Sequence, residues 1–319
     1  MEEGNCLRNF PISFFAMVMG LSGLTIAWEK AGEVFALTTP VCLPLMGITA
    51  LVFVGLVLVY GAKLVRYPGA VLGELRHPVK LSFFPTITIS LILLSICTLA
   101  PLPGLSLGLW VLGTAGHLLF TFYVLAVWIN HEHFEIHHLN PAWFIPVVGN
   151  ILVPIAGVAH GFHELSWFFF SIGLLFWLIL MAIVFYRMIF HHPLPDKLLP
   201  TLFILIAPPA VGFVAYHQLS GELDAFARIL YYAGLFLTLM LVTQLPRFTR
   251  LDFSLSWWAY SFPLAAITVA TLVMLEALGG PWFRWLAMVL LAVLSLLLLM
   301  LVVRTALGLV RREFCLEEG

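Results

Sequence analysis

Histidine is the residue type in this chain best able to do chemistry. Eleven occur in 319 residues, and eight are grouped: His131, His133, His137 and His138 in NHEHFEIHHLN, His160 with His163, and His191 with His192. Neutral imidazole ligates zinc, copper, iron and nickel, so groups that converged in space would build a His-box membrane metalloenzyme. The spacing argues otherwise. The stretch from His133 to His137 lacks the glutamate placement of HExxH, in which two histidines one helical turn apart hold a metal. Hydropathy also separates the groups: the first and third fall on one side of a bilayer and the second on the other, ~30 Å away. Histidines at an interface, in place of Lys or Arg, are the plainer reading. Cys6, Cys42, Cys97 and Cys315 are far apart, with no CxxC pair, and read as isolated small hydrophobes. The sequence therefore predicts no metal and no cofactor.

These side chains must be carried by elements built for lipid. Hydrophobic residues make up 62% of the chain and Asp, Glu, Lys and Arg only 10%, where a soluble domain carries about 25% charge. So few charges cannot cover a water-facing surface, which excludes the soluble class. A net charge of −1 without a basic run predicts no nucleic-acid partner. Ten uncharged apolar stretches follow one another, over residues 11–28, 40–60, 81–99, 105–129, 142–159, 165–186, 198–216, 229–245, 254–275 and 285–303. Each is near the ~20 residues that span a bilayer as a helix. The prediction is an all-α integral membrane protein, with residues 1–319 as a single membrane domain. The opening MEEGNCLRNF carries no small-residue cleavage site, so the first stretch reads as a retained span. With the N-terminus cytoplasmic, twelve of the fifteen Lys and Arg residues lie inside and only Lys30, Arg228 and Arg284 outside. That bias predicts both termini on the cytoplasmic side of the cell inner membrane.

Proline divides the stretches into two kinds. The odd ones hold it within or near the apolar run, as Pro11, Pro85, Pro146 and Pro154, Pro208 and Pro209, and Pro263. The even ones hold it at most in or just before the first turn, where it removes no helical hydrogen bond. An interior proline frees a carbonyl and bends the helix, and a membrane tolerates that where neighbours or a cavity satisfy the backbone. The pattern predicts five helical hairpins, with kinked odd helices around an axis and straight even ones against lipid. No Asp, Glu, Lys or Arg falls inside the ten stretches, and the only histidine well inside one is His117. Ion-coupled transport ordinarily needs an intramembrane charge, so its absence favours a passive pathway. Mild hydroxyl and amide groups on the odd helices, among them Ser13, Thr86, Asn150 and Ser261, are candidates to line it, with helix-to-helix bonding as their alternative. The basic linker from Arg66 to Lys80 reads as a solvated loop that faces headgroups or draws anions to a cytoplasmic mouth.

Four segments carry a resemblance. ELRHPVKLSFFP (Glu74 to Pro85), WFIPVVGN (Trp143 to Asn150), IAPPAVGFVAY (Ile206 to Tyr216) and WWAYSFPLAAITVAT (Trp257 to Thr271) resemble the tellurite-resistance/C4-dicarboxylate transporter family. That family includes the TehA-like bacterial proteins and the plant slow-type anion channels, and the resemblance runs along essentially the whole chain. It implies ten helices as five hairpins in quasi-fivefold arrangement around a central pore, and a homotrimer with one pore per subunit. It also implies a gate, because the family's pore is plugged by a phenylalanine just before the proline of the ninth helix, which here is Phe262 beside Pro263. A ring pressed into an apolar constriction excludes water and hence ions until it swings aside. The function implied is a gated passive channel or uniporter for small inorganic or carboxylate anions, not an enzyme. A secondary exporter of C4-dicarboxylate, sulfite or tellurite on the same fold is the alternative.

Overall fold

A computed structural model describes residues 6–39, 41–130, 134–311 and 313–315. His131, His133 and Pro40 lie outside the described residues. Those described form helices and connecting turns, with no strand among them. Ten apolar helical segments are labelled here in chain order: α1 (Ile12–Val34), α2 (Cys42–Arg66), α3 (Lys80–Cys97), α4 (Pro103–Asn130), α5 (Pro141–Gly157), α6 (His163–Phe190), α7 (Asp196–Ser220), α8 (Ala225–Val242), α9 (Leu255–Leu278) and α10 (Pro281–Val310). Among the described residues, nine of these are long and apolar enough to cross a membrane. The exception is α5, where the sequence predicts a span over 142–159. Pro146, Gly149 and Pro154 break this segment into short α and 3-10 pieces, leaving 17 residues in place of one continuous helix.

Odd and even helices differ in both burial and backbone. In α1, α3, α7 and α9 the apolar stretch is 67–83% buried, against 11–39% in the five even helices. The even helices turn large apolar side chains outward, among them Leu51, Leu119, Leu178, Phe236 and Leu296. In a membrane those faces meet lipid, which is as apolar as they are. Every odd helix opens in 3-10 turns and changes to α partway along: at Ala16 in α1, Thr86 in α3, Ala207 in α7 and Ser261 in α9, with two changes in α5. In α7 the 3-10 run is eleven residues, Asp196–Ile206, where runs beyond three or four are uncommon. A proline sits within two residues of the switch in α3, α5, α7 and α9, where the missing N–H costs least.

Each odd helix packs on the even helix that follows it, and the odd helices pack on one another in the order α1, α3, α5, α7, α9 and back to α1. The core is therefore a closed ring of helices that change from 3-10 to α, with the continuous α-helices packed outside it. The basic linker after α2 is not a loop. Residues Pro68–Arg76 form a short helix tied to α2 by a buried ion pair, Lys63 Nζ to Glu74 Oε2 at 3.1 Å. The Tyr60 hydroxyl donates to the same carboxylate oxygen at 2.6 Å, and Lys63 Nζ also donates to the Phe10 carbonyl at 2.7 Å. Cys42 and Cys97 are free thiols, but Cys6 is disulfide-bonded, which corrects the expectation of four isolated cysteines.

Candidate functional site

The ring of odd helices encloses two cavities stacked along its axis. The first, of about 50 Å³, lies toward the N-terminal ends of the helices and is lined by Met19, Ile89, Phe144, Ile145, Val148, Gly149, Ile151, Leu152, Ile204, Ala207, Pro208, Val211 and Phe262. The second, of about 40 Å³, lies one to two turns further and is lined by Gly23, Ile26, Leu93, Ile96, Leu152, Ile155, Val211, Val214, Phe262, Ala265, Ala266 and Val269. Both linings draw on α1, α3, α5, α7 and α9 and on no even helix. Leu152, Val211 and Phe262 border both cavities, so these three residues form the partition between them. Every lining side chain is apolar. A cavity needs roughly 10–15 Å³ to admit a water and polar partners to hold it, so these two have the room without the partners.

Phe262 stands in the partition because of the helix carrying it. It is the second residue of the α-helical part of α9, directly after the 3-10 turns Leu255–Tyr260 and directly before Pro263. Opposite it, α1 comes close because it carries Gly20 and Gly23. A β-carbon at Gly20 would collide with Ser261, and one at Gly23 would stand 2.6 Å from the Ala265 β-carbon and 3.5 Å from Phe262 Cδ2. Small residues at steps of three and four on α1, Gly20, Gly23 and Ala27, are a sequence signal for such an approach. Nothing of that kind marks Leu152 or Val211, two apolar residues among many.

The other sequence-predicted residues are placed as follows. Pro208 lines the first cavity, whereas Pro85, Pro146, Pro154 and Pro263 sit at or near the 3-10 to α switches without lining either one. Thr86, Asn150 and Ser261 are buried and Ser13 is half-buried, and none of the four lines a cavity. Their bonds explain why. Thr86 Oγ1 donates to the Phe83 carbonyl, Asn150 Nδ2 to that of Val147 at 2.8 Å, and Ser261 Oγ to that of Trp258 at 2.6 Å. Each reaches back three residues, to a carbonyl in or next to a 3-10 turn or proline kink. In the α-helical parts the hydroxyls of Ser90, Thr268 and Thr271 reach back four instead. The even helix α4 serves broken α5 in the same way: Trp110 Nε1 donates to the Val153 carbonyl at 2.9 Å and Thr121 Oγ1 to that of Pro146 at 2.8 Å. Backbone groups at membrane depth must be satisfied by protein, and these side chains do it.

His117 belongs to this layer behind the cavity lining. Its Nδ1 lies 3.0 Å from Thr88 Oγ1, and a β-carbon on Gly149 would stand 2.7 Å from its Nε2. The grouped histidines remain apart: His160 Nε2 bonds Ser106 Oγ at 2.9 Å at one end of α4, while the His137 and His138 rings lie 4.0 Å apart and tilted by 52° beyond the other, with His137 Nδ1 3.1 Å from Glu135 Oε2. Burial, with His137 beside it, holds His138 below the usual imidazole range. No group of three or more His, Cys, Asp or Glu suited to a metal occurs among the described residues.

The ring of helices thus encloses an apolar axis that is interrupted at one level. The comparison with known families fits that geometry: the model described as voltage-dependent anion channel matches residues 9–306. The chain belongs to the voltage-dependent anion channel family. Similar proteins include an uncharacterized transporter of Methanocaldococcus jannaschii, 31% identical over 86% of this chain and 87% of that one. An S-type anion channel of Arabidopsis thaliana is 30% identical over 86% of this chain, which spans about half (54%) of that longer protein. A tellurite resistance protein TehA homolog of Haemophilus influenzae is 29% identical over 82% of this chain and 81% of its own. These relatives thus include channels and transporters by name, consistent with the nine long apolar helices among the described residues. The resemblance read from the four sequence segments is to this same family.

Proposed function

We propose that this protein is a gated passive channel or uniporter for small anions across the cell membrane, with Phe262 as its gate. One observation carries the reading: Phe262, with Leu152 and Val211, separates two apolar cavities that otherwise continue one another along the axis. Of the three, only Phe262 presents an aromatic ring that can swing as a unit. A dewetted constriction blocks ions because none can shed its hydration against apolar walls. Rotation of the ring would merge the cavities into one path, and the 3-10 to α switch just before Phe262 supplies a hinge. Anion preference then rests on long-range potential, from backbone dipoles and basic residues near the mouths, since neither cavity holds a polar side chain.

The same reading takes the broken segment α5 as a tenth span, so that five hairpins surround one pore in quasi-fivefold arrangement with both termini cytoplasmic. It takes the assembly as a homotrimer with a pore in each subunit. The test is anion flux into proteoliposomes that hold purified Phe262→Ala protein. Chloride or nitrate flux well above wild type is expected, and wild-type flux in a folded variant would remove Phe262 as the gate. A secondary exporter on this fold would instead show saturable flux that follows an imposed proton gradient.

A further inference from the structure

The helices that meet at the gate carry charge further along the same faces. On α1 the cavity-lining residues are Met19, Gly23 and Ile26, at alternating steps of four and three. The next step of four is Lys30. On α9 they are Phe262, Ala265, Ala266 and Val269, and seven residues beyond Val269, on the same face, is Glu276. Lys30 Nζ lies 2.8 Å from Glu276 Oε2 and 2.9 Å from Glu33 Oε2. An ion pair therefore joins α1 to α9 at the mouth formed by the C-terminal ends of the odd helices. The lysine side chain is 21% exposed, while its two carboxylates are about half exposed. No other Lys or Arg occurs in the C-terminal halves of the five odd segments, since Lys80 and Lys197 lie at the opposite ends of α3 and α7. Glu29, half-buried, neighbours Lys30 in sequence, and Arg228 and Arg284 stand at this same end at the starts of α8 and α10.

We propose that Lys30 is the anion-contacting group of this mouth, and that Glu33 and Glu276 hold it and compete with the anion for it. The inference rests on the pore reading above. An anion leaving the second cavity along this face of α1 reaches the Lys30 ammonium, which is already shared between two carboxylates. Lys30 sets how readily anions are drawn to this end, and the carboxylates restrain it. In water at ~6 Å a unit charge changes the local anion concentration about threefold, and salt screens the effect.

The test uses the full-length protein carrying Phe262→Ala, so that the gate does not limit flux. Chloride and nitrate flux is measured at about 0.02 M salt and at about 0.5 M, where screening cuts the field to a few ångströms. Adding Lys30→Gln should lower flux about threefold at low salt. Adding Glu276→Gln should raise it by a similar factor, and Lys30→Arg, which keeps the charge, should retain more flux than Lys30→Gln. Both changes should shrink at high salt. If Phe262→Ala protein conducts but Lys30→Gln and Glu276→Gln shift flux in the same direction or not at all, the assignment of Lys30 is wrong and the ion pair is a tie between helices. If folded Phe262→Ala protein does not conduct, the pore reading itself falls, and this inference with it.

Discussion

Phe262 on α9 faces Gly23 on α1, its ring edge 3.5 Å from the point where a β-carbon would stand. The ring has its place in the partition because the opposite helix offers no side chain there. The same missing side chain lets Ala265 approach to within 2.6 Å of that point, closer than real β-carbons stand. The partition between the cavities and the contact between the helices thus depend on a single residue.

Gly23→Ala should accordingly push α1 and α9 apart. Overpacking of this kind costs about 1–3 kcal/mol, read as a lower Tm of the detergent-solubilised protein. Adding Ala265→Gly removes the colliding methyl and should restore most of the loss. A single variant as stable as wild type would mean that the two helices have slack at this level.

The partition predicts a graded response to side-chain size. Anion flux should rise in the order Phe262→Leu, Phe262→Val, Phe262→Ala, as less of the gap between the cavities stays filled. Phe262→Trp should remain closed. Truncation to alanine should also cost stability, about 3–5 kcal/mol for a fully buried ring and less for this half-buried one. A flat series, in which all variants conduct alike, would place the barrier at Leu152 or Val211 instead.

Much of the fold could be read from the residues. Pro85, Pro208 and Pro263 on alternate apolar stretches gave the kinked inner and straight outer helices, because a missing N–H is a local property. The ring order and the 3-10 backbone were not legible, since they arise from packing between distant segments. Thr86, Asn150 and Ser261 show the limit at the site. Polar residues on inner helices suggest a lining, but what they bond to depends on which carbonyls the 3-10 turns leave free. Phe262 stood out among 27 phenylalanines only through the resemblance, because an apolar ring in a pore and one in a core have the same sequence signature. The Lys63–Glu74 pair was hidden too, as eleven positions apart on two helices is no recognisable spacing.

Acid should weaken the start of α8 through Asp224. Its carboxylate caps the helix, accepting from the Ala227 N–H at 2.9 Å and from the Tyr216 hydroxyl at 2.6 Å. These bonds, the Ala227 one first, hold its pKa below the usual carboxylate value. A carboxylate with a lowered folded pKa adds stability that is fully present above its unfolded pKa, ~3.9, and is lost as pH falls through the folded value. Wild type should therefore lose Tm relative to Asp224→Ala below about pH 4, and the two curves should run parallel at neutral pH. A constant gap down to the lowest pH at which the protein stays folded would show that the carboxylate's charge contributes nothing.

Lys63 and Glu74 should behave as one unit. Their side chains are buried and paired at 3.1 Å, with Tyr60 and the Phe10 carbonyl completing the bonds. Removing one partner of a buried pair leaves an uncompensated charge, which costs about 3–5 kcal/mol, whereas replacing both with apolar groups is often near neutral. Glu74→Leu should thus lower the Tm strongly, because Lys63 would keep the Phe10 carbonyl and the Tyr60 ring but no counter-charge. Lys63→Met with Glu74→Leu should be more stable than Glu74→Leu alone, a non-additivity that a double-mutant cycle measures directly. Proteolysis offers a second readout. The helix Pro68–Arg76 carries exposed Arg76, and loss of Glu74 should open this segment to trypsin before the membrane helices yield. If the single and double variants melt together and cut alike, the pair does not fix this linker, and the docking of the short helix rests on the apolar contact of Val71 with Tyr60 and Phe84.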